Sequence, residues 1–143
     1  ECALAGAAHF TIVNRSKDRG HELIALLNDQ TPAEAAYEKW DGEYFVPEET
    51  DVVINATSIG LADAKARLEL DTNSLSENMV VADVIPNPPR TQLIRAAEDR
   101  GCQVLDGLGM LVNQGVIGFK LWTGVDPDPA VMRAALEEVF GTD

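Results

Sequence analysis

Two arginines, four residues apart, follow directly on a short apolar run near the start of the chain. The run ends in Asn14, and Arg15, Ser16 and Arg19 come after it. On a helix beginning here, the two arginines would share one face, where free backbone N–H groups and the helix dipole also favour an anion. In a dinucleotide-binding sheet, arginine at this place accommodates the 2′-phosphate of NADP. The four residues therefore predict a phosphate site, and NAD stays possible because Asp18 and Asn14 can meet a ribose hydroxyl.

A second group of small polar residues ends a later apolar run. Asn55 and Thr57 follow Val52-Val53-Ile54, and their side chains suit contacts to ribose hydroxyls or to a diphosphate. The alternative is an ordinary strand end closed by an Asx or Ser turn.

The third group lies in the segment from Asp106 to Gly115. Gly107 and Gly109 indicate a tight turn or the close approach of another group, and Gln114 offers both a donor and an acceptor. Gln114 also stands where a helix running to Gly124 is predicted to begin. The alternative is a plain helix entry that contains one polar side chain.

The elements that must position these residues follow from hydrophobic periodicity and turn signals. Strands are predicted at 7–13, 51–57, 80–84 and 102–106, with a weaker one at 36–40; helices are predicted at 16–28, 91–100, 114–124 and 130–140. This alternation indicates an α/β fold with a doubly wound (Rossmann-like) parallel sheet. Its strands end in polar residues, at the edge where such sheets bind ligands. No G-x-G-x-x-G is present, so the sheet is expected to lack its first strand and Gly-rich turn.

Composition narrows the class of protein. The 143 residues suffice for one domain, and a net charge of −13 argues against binding to nucleic acid. No apolar run approaches the roughly 18 residues that a membrane span needs. Cys2 and Cys102 have no metal-binding or disulfide spacing, so no metal site is predicted and a reducing, cytoplasmic location is expected. The opening segment, Glu1 to Gly6, reads as the end of a helix, so we expect a fragment of a longer protein.

The order of these motifs resembles the C-terminal, NADP-binding half of the shikimate and quinate dehydrogenase family, along the whole of this chain. Four blocks and one short segment carry the resemblance: Thr11–Ser16, Asp51–Thr57, Asp83–Thr91, Asp106–Val112 with Gln114, and Leu121–Gly124.

The resemblance implies roles for individual residues. Asn14, Arg15, Ser16 and Arg19 match the segment that holds the adenosine 2′-phosphate. Val84 and Gly107 match positions lining the nicotinamide, with Met110 beside them. Gln114 matches the glutamine that hydrogen-bonds a hydroxyl of the cyclohexene or cyclohexane carboxylic acid substrate.

The implied activity is the reversible, NADP-dependent oxidation of shikimate or quinate by the full-length protein. The family's catalytic lysine and aspartate belong to an N-terminal domain, so no catalytic residue is assigned in this chain and no turnover is expected from it alone. Pro86 replaces the tyrosine that usually lies near the substrate, which puts the substrate's identity in question. No particular oligomeric state is predicted.

Two alternatives stay open. One is a nucleotide-binding or regulatory module that kept the sheet and lost the chemistry. The other is a different two-domain NADP enzyme, such as a relative of glutamyl-tRNA reductase or methylene-tetrahydrofolate dehydrogenase, although the Gly107–Gln114 segment argues against this.

Overall fold

The computed structural model describes residues 1–61, 63 and 65–141. The chain divides into two compact units, Glu1–Tyr44 and Phe45–Asp143. No helix in the described ranges combines the length and the apolar character needed to cross a bilayer.

The first unit is a β–α–β unit. Strand β1 (His9–Asn14) leads into helix α1 (Lys17–Gln30) and then into strand β2 (Glu34–Lys39), which pairs in parallel with β1. Ser16 is the N-cap of α1, as its residue type predicts, and its Oγ accepts from the Arg19 N–H at 3.4 Å. The weak strand predicted at 36–40 is therefore real and begins two residues earlier.

The second unit contains a three-stranded parallel sheet in the order β3-β4-β5. The strands are β3 (Val52–Asn55), β4 (Val80–Asp83) and β5 (Gln103–Leu105), each shorter than predicted. Helix α2 (Gln92–Asp99) connects β4 to β5, and helices α3 (Gly107–Thr123) and α4 (Pro129–Phe140) follow. A 3-10 turn at Thr72–Ser74 interrupts the loop after β3. The parallel α/β class predicted from the sequence is confirmed.

The core of this unit lies around β4. Its largest fully buried side chains are those of Met79, Val81, Ile94 and Leu108. They come from the approach to β4, from β4 itself, from α2 and from the first turn of α3. Burial of Leu108 therefore anchors the start of α3 in the core.

The start of α3 corrects one prediction. The helix begins at Gly107, seven residues before the predicted start at Gln114. Gly107 and Gly109 indicated a tight turn or a close approach of another group, because glycine adopts backbone conformations that other residues avoid. However, Asp106 caps the helix, and its Oδ1 accepts from the Gly109 N–H at 2.8 Å. Asp106, directly before the first of the two glycines, is a common capping residue and was the signal for this earlier start.

Candidate functional site

The predicted phosphate site lies at the junction of β1 and α1. Asn14 Oδ1 accepts from the Ser16 N–H at 2.9 Å, so both side-chain oxygens, of Asn14 and of Ser16, shape the first turn of the helix. Arg15 and Arg19 are exposed, and neither forms an ion pair with any residue that the structure describes. The junction thus presents two uncompensated guanidinium groups near a helix N-terminus, an arrangement that suits a phosphate.

Tyr37 of β2 supports this junction, and sequence analysis did not find it. Its hydroxyl donates to the carbonyl oxygen of Asn14 at 2.9 Å. Its ring lies against Gly20, where an added Cβ would be 2.4 Å from the ring carbon Cδ2. Tyr37 therefore fixes the end of β1. No local sequence pattern predicts the contact between Tyr37 and Asn14, because these two residues come together only when β2 pairs with β1.

In the second unit, Asn55 and Thr57 belong to a hydrogen-bond network at the end of β3. Asn55 is 2% exposed, and its amide nitrogen donates to Asp83 Oδ1 at 3.0 Å. Its amide oxygen accepts from the backbone N–H and the hydroxyl of Thr57, at 3.0 and 2.8 Å. The hydrogen bonds favour an indirect role for Asn55, and direct contact between Asn55 and a cofactor stays a prediction.

Val84 and Gly107 are brought together by the close approach of α3 to the end of β4. A Cβ added to Gly107 would lie 2.4 Å from the carbonyl carbon and oxygen of Ile85 and 2.7 Å from the carbonyl carbon of Val84. Gly107 is buried, whereas Val84 and Pro86 are half-buried. The chain's own backbone therefore requires glycine at this position, whether or not a nicotinamide also lies there.

The remaining predicted residues lie along one stripe of α3. Gly107, Met110 and Gln114 are separated by three and four residues, a spacing that places them on the same helix face. Met110 is 41% exposed and Gln114 is exposed. The early start of α3 thus produces a stripe that begins beside Val84 and presents an amide two turns later.

Asp106 ties the start of α3 to α4. Its carboxylate receives two hydrogen bonds from the Arg133 guanidinium, at 2.6 and 3.4 Å, besides the bond from Gly109. Burial alone would raise the pKa of Asp106, but the bonds from Arg133 and Gly109 outweigh it and leave the pKa below its usual value. The Arg133 guanidinium also binds Glu137 at 2.8 Å. The ion pair between Asp106 and Arg133 therefore stabilises the start of α3, where the stripe of Gly107, Met110 and Gln114 begins.

A carboxyl whose pKa is lower in the folded state contributes stability above its unfolded pKa, and that stability is lost as the pH falls through the folded pKa. We expect Asp106→Asn to lower the free energy of unfolding by about 1 kcal/mol at pH 7. The loss should shrink below a pH of about 4. Urea unfolding at pH 7 and pH 3 measures both values.

The matched control is Asp126→Asn, which removes a pair with Lys120 in which the Asp126 side chain is 75% exposed. We expect no measurable change in stability for that variant. If Asp106→Asn lowered the free energy of unfolding equally at both pH values, the lost stability would not come from the charge of Asp106.

Within residues 1–61, 63 and 65–141, no group of three or more His, Cys, Asp or Glu side chains is arranged to hold a metal ion.

Comparison with known proteins identifies the family. Residues 107–137, which contain α3 and most of α4, match the family model of the shikimate 5′-dehydrogenase C-terminal domain. The NADP(+) shikimate dehydrogenase of Alkaliphilus metalliredigens is 34% identical over 131 residues, which are 88% of this chain and 46% of that protein. The chain therefore spans about half the length of the curated relatives it matches.

Two solved structures extend this comparison. The ligand-free 5-ketofructose reductase of Gluconobacter sp. strain CHM43 superposes with a TM-score of 0.91 and 52% identity, over 96% of this chain and 50% of that one. Shikimate 5-dehydrogenase from Listeria monocytogenes, in complex with shikimate and NAD, gives a TM-score of 0.79 and 26% identity, over 94% and 49%. The chain belongs to the shikimate and quinate dehydrogenase family.

Proposed function

We propose that this chain is the C-terminal, cofactor-binding part of an NADP-dependent oxidoreductase. The observation that carries the proposal is a pair of exposed arginines, Arg15 directly before the N-cap of α1 and Arg19 in its first turn, which have no ion-pair partner among the described residues. A 2′-phosphate is the group that distinguishes NADP from NAD, and guanidinium groups bind phosphate through charge-assisted hydrogen bonds. The relatives named as NADP(+) enzymes support the same cofactor.

Each predicted residue except Asn55, whose hydrogen bonds favour an indirect role, then has a role in binding or orientation. Asn14 and Ser16 shape the turn that presents the arginines to the 2′-phosphate, and Thr57 ends the strand at which the diphosphate or a ribose is expected. Val84, Gly107 and Met110 line the nicotinamide, which supplies or accepts the hydride. Gln114 binds a hydroxyl of the substrate and Pro86 borders it. The acid–base groups belong to a further domain of the full-length protein, as the family resemblance implies.

Two classes of substrate are compatible with this arrangement. The first is shikimate or quinate, the acids named in the family. The second is 5-ketofructose, favoured because identity to the reductase of that sugar is 52%, against 34% to an NADP(+) shikimate dehydrogenase. Pro86 also favours 5-ketofructose over the cyclic acids, because it replaces the tyrosine whose hydroxyl usually lies near the acid in this family. We favour the reduction of 5-ketofructose, in which hydride reaches the ketone carbon and a proton reaches its oxygen.

The test is a comparison of substrates with the full-length protein. NADPH consumption is measured with 5-ketofructose and with 3-dehydroshikimate, and NADPH formation with shikimate and quinate. We expect kcat/KM for 5-ketofructose to exceed that for 3-dehydroshikimate by at least about tenfold. The reverse order would restore the shikimate assignment. In Pro86→Tyr, we expect the ratio to move towards 3-dehydroshikimate.

A nucleotide-binding module without chemistry is the other reading. It predicts that the full-length protein binds NADPH tightly and turns over none of the four substrates. A cytoplasmic location stays a prediction, as does the absence of turnover by the 143-residue chain alone.

A further inference from the structure

A buried carboxylate at the end of β4 binds donors from three parts of the second unit. Asp83 is 3% exposed. Its Oδ1 accepts from the Asn55 amide and from the Ile85 N–H, both at 3.0 Å, and its Oδ2 accepts from the Thr91 hydroxyl at 2.7 Å. Asp83 has no ion-pair partner among the described residues. These hydrogen bonds are therefore what offsets the cost of burying the charge.

The donors are themselves parts of the framework. Asn55 ends β3, where it lies opposite Asp83 in the register of the sheet. Thr91 is the N-cap of α2, because its Oγ also accepts from the Ile94 N–H at 3.3 Å. One carboxylate thus joins the ends of two strands to the beginning of a helix.

The backbone N–H of Ile85, the remaining donor to Asp83, connects this network to the candidate nicotinamide site. The N–H of Ile85 is fixed by Asp83, and the carbonyl group of the same residue is the surface on which Gly107 rests. Val84 lies between the carboxylate and that contact in the chain. Any change in the bonds to Asp83 therefore reaches the backbone of Val84 and the first turn of α3.

We infer that Asp83 is a positioning residue, which holds Val84 and the start of α3 in the geometry needed for hydride transfer and does not itself contact the cofactor. The inference rests on the proposed function, in which Val84 and Gly107 line the nicotinamide. This positioning role differs from a role in folding alone. It predicts that changes at Asp83 impair hydride transfer at the nicotinamide and leave the binding of the adenosine end of the cofactor unchanged.

Variants of the full-length protein test this role. Asp83→Asn keeps the shape of the side chain but replaces one accepting oxygen by an NH₂ group. Thr91→Val removes the hydrogen bond to the carboxylate together with the cap bond from the Ile94 N–H, and Thr91→Ser keeps both bonds and is the matched control. The measurements are kcat, the primary deuterium isotope effect with NADPH deuterated at C4, the melting temperature, and the Kd of adenosine 2′,5′-bisphosphate, which represents the adenosine end.

We expect kcat to fall roughly tenfold in Asp83→Asn and Thr91→Val, with a larger isotope effect, because small misplacements of reacting groups slow the chemical step strongly. The Kd of adenosine 2′,5′-bisphosphate should stay at the wild-type value, and Thr91→Ser should keep the wild-type kcat. An unchanged kcat in folded Thr91→Val would overturn the inference. So would a parallel loss of kcat and of adenosine bisphosphate binding, since that result indicates a general role in folding. A wild-type protein that fails to bind NADPH would instead refute the proposed function, and the inference with it.

Discussion

Replacement of Arg15 by alanine is expected to weaken the binding of NADPH by roughly 10- to 100-fold while changing the Kd of NADH by less than about threefold. A hydrogen bond to a charged group contributes about 1.5–3 kcal/mol, and the guanidinium of Arg15 is free to make such bonds because it is exposed and has no ion-pair partner among the described residues. NADH lacks the 2′-phosphate, so the same substitution removes little from its binding. Fluorescence titration of the full-length protein with both cofactors gives the two constants.

Lys17→Ala is the charge-matched control for Arg15→Ala. Lys17 is exposed in the first turn of the same helix, and its removal changes the net charge by the same amount. A small effect of Lys17→Ala beside a large one of Arg15→Ala indicates direct contact rather than general attraction to phosphate. Equal losses of NADPH and NADH affinity in Arg15→Ala would show that Arg15 does not contact the 2′-phosphate.

Replacement of Gly107 by alanine is expected to reduce the free energy of unfolding by about 3 kcal/mol. The added Cβ would lie 2.4 Å from the carbonyl carbon and oxygen of Ile85, and these are backbone atoms that cannot rotate away. The helix must therefore move from the end of β4, which also separates Gly107 from Val84. Urea unfolding and the Kd of NADPH should both respond.

Gly109→Ala is the control for this prediction. At Gly109 the nearest atom to an added Cβ is Asp106 Oδ1 at 3.5 Å, an ordinary contact. Because alanine is the better helix former, this variant should be neutral or more stable by up to about 1 kcal/mol. If Gly107→Ala proved as stable as Gly109→Ala, α3 would not rest on Ile85 in the way described.

Much of the fold could be predicted from local sequence. Ser16 and Thr91 cap helices as their types and positions indicated, and the apolar runs at the three strands of the second unit identified its sheet. Helix α4 begins one residue before its predicted start, with Pro129 at its first turn. These features depend on backbone propensity and on residues near one another in the chain, so a local pattern suffices to find them.

The start of α3 is the clearest error, and its cause is a conflict between two local signals. Gly107 and Gly109 favoured a turn, and the capping side chain of Asp106 was not weighed against them. The structure shows that the cap prevails, because burial of Leu108 and the pair between Asp106 and Arg133 both stabilise the first turn. The partner Arg133 is 27 residues away in the chain, so no local window contains it.

Local sequence patterns were enough to predict the parallel α/β class, the order of the elements and the polar residues at the strand ends. They also predicted the charge of the junction after β1, because Arg15 and Arg19 are close together in the chain. The hydrogen-bond partners of the polar residues in the second unit depend instead on packing between distant parts of the chain. Pairing of β3 with β4 places Asn55 opposite Asp83. Burial removes water from both side chains, so the Asn55 amide and the Asp83 carboxylate hydrogen-bond to each other. In the same way, only packing decided that Gly107 is required by the backbone of Ile85.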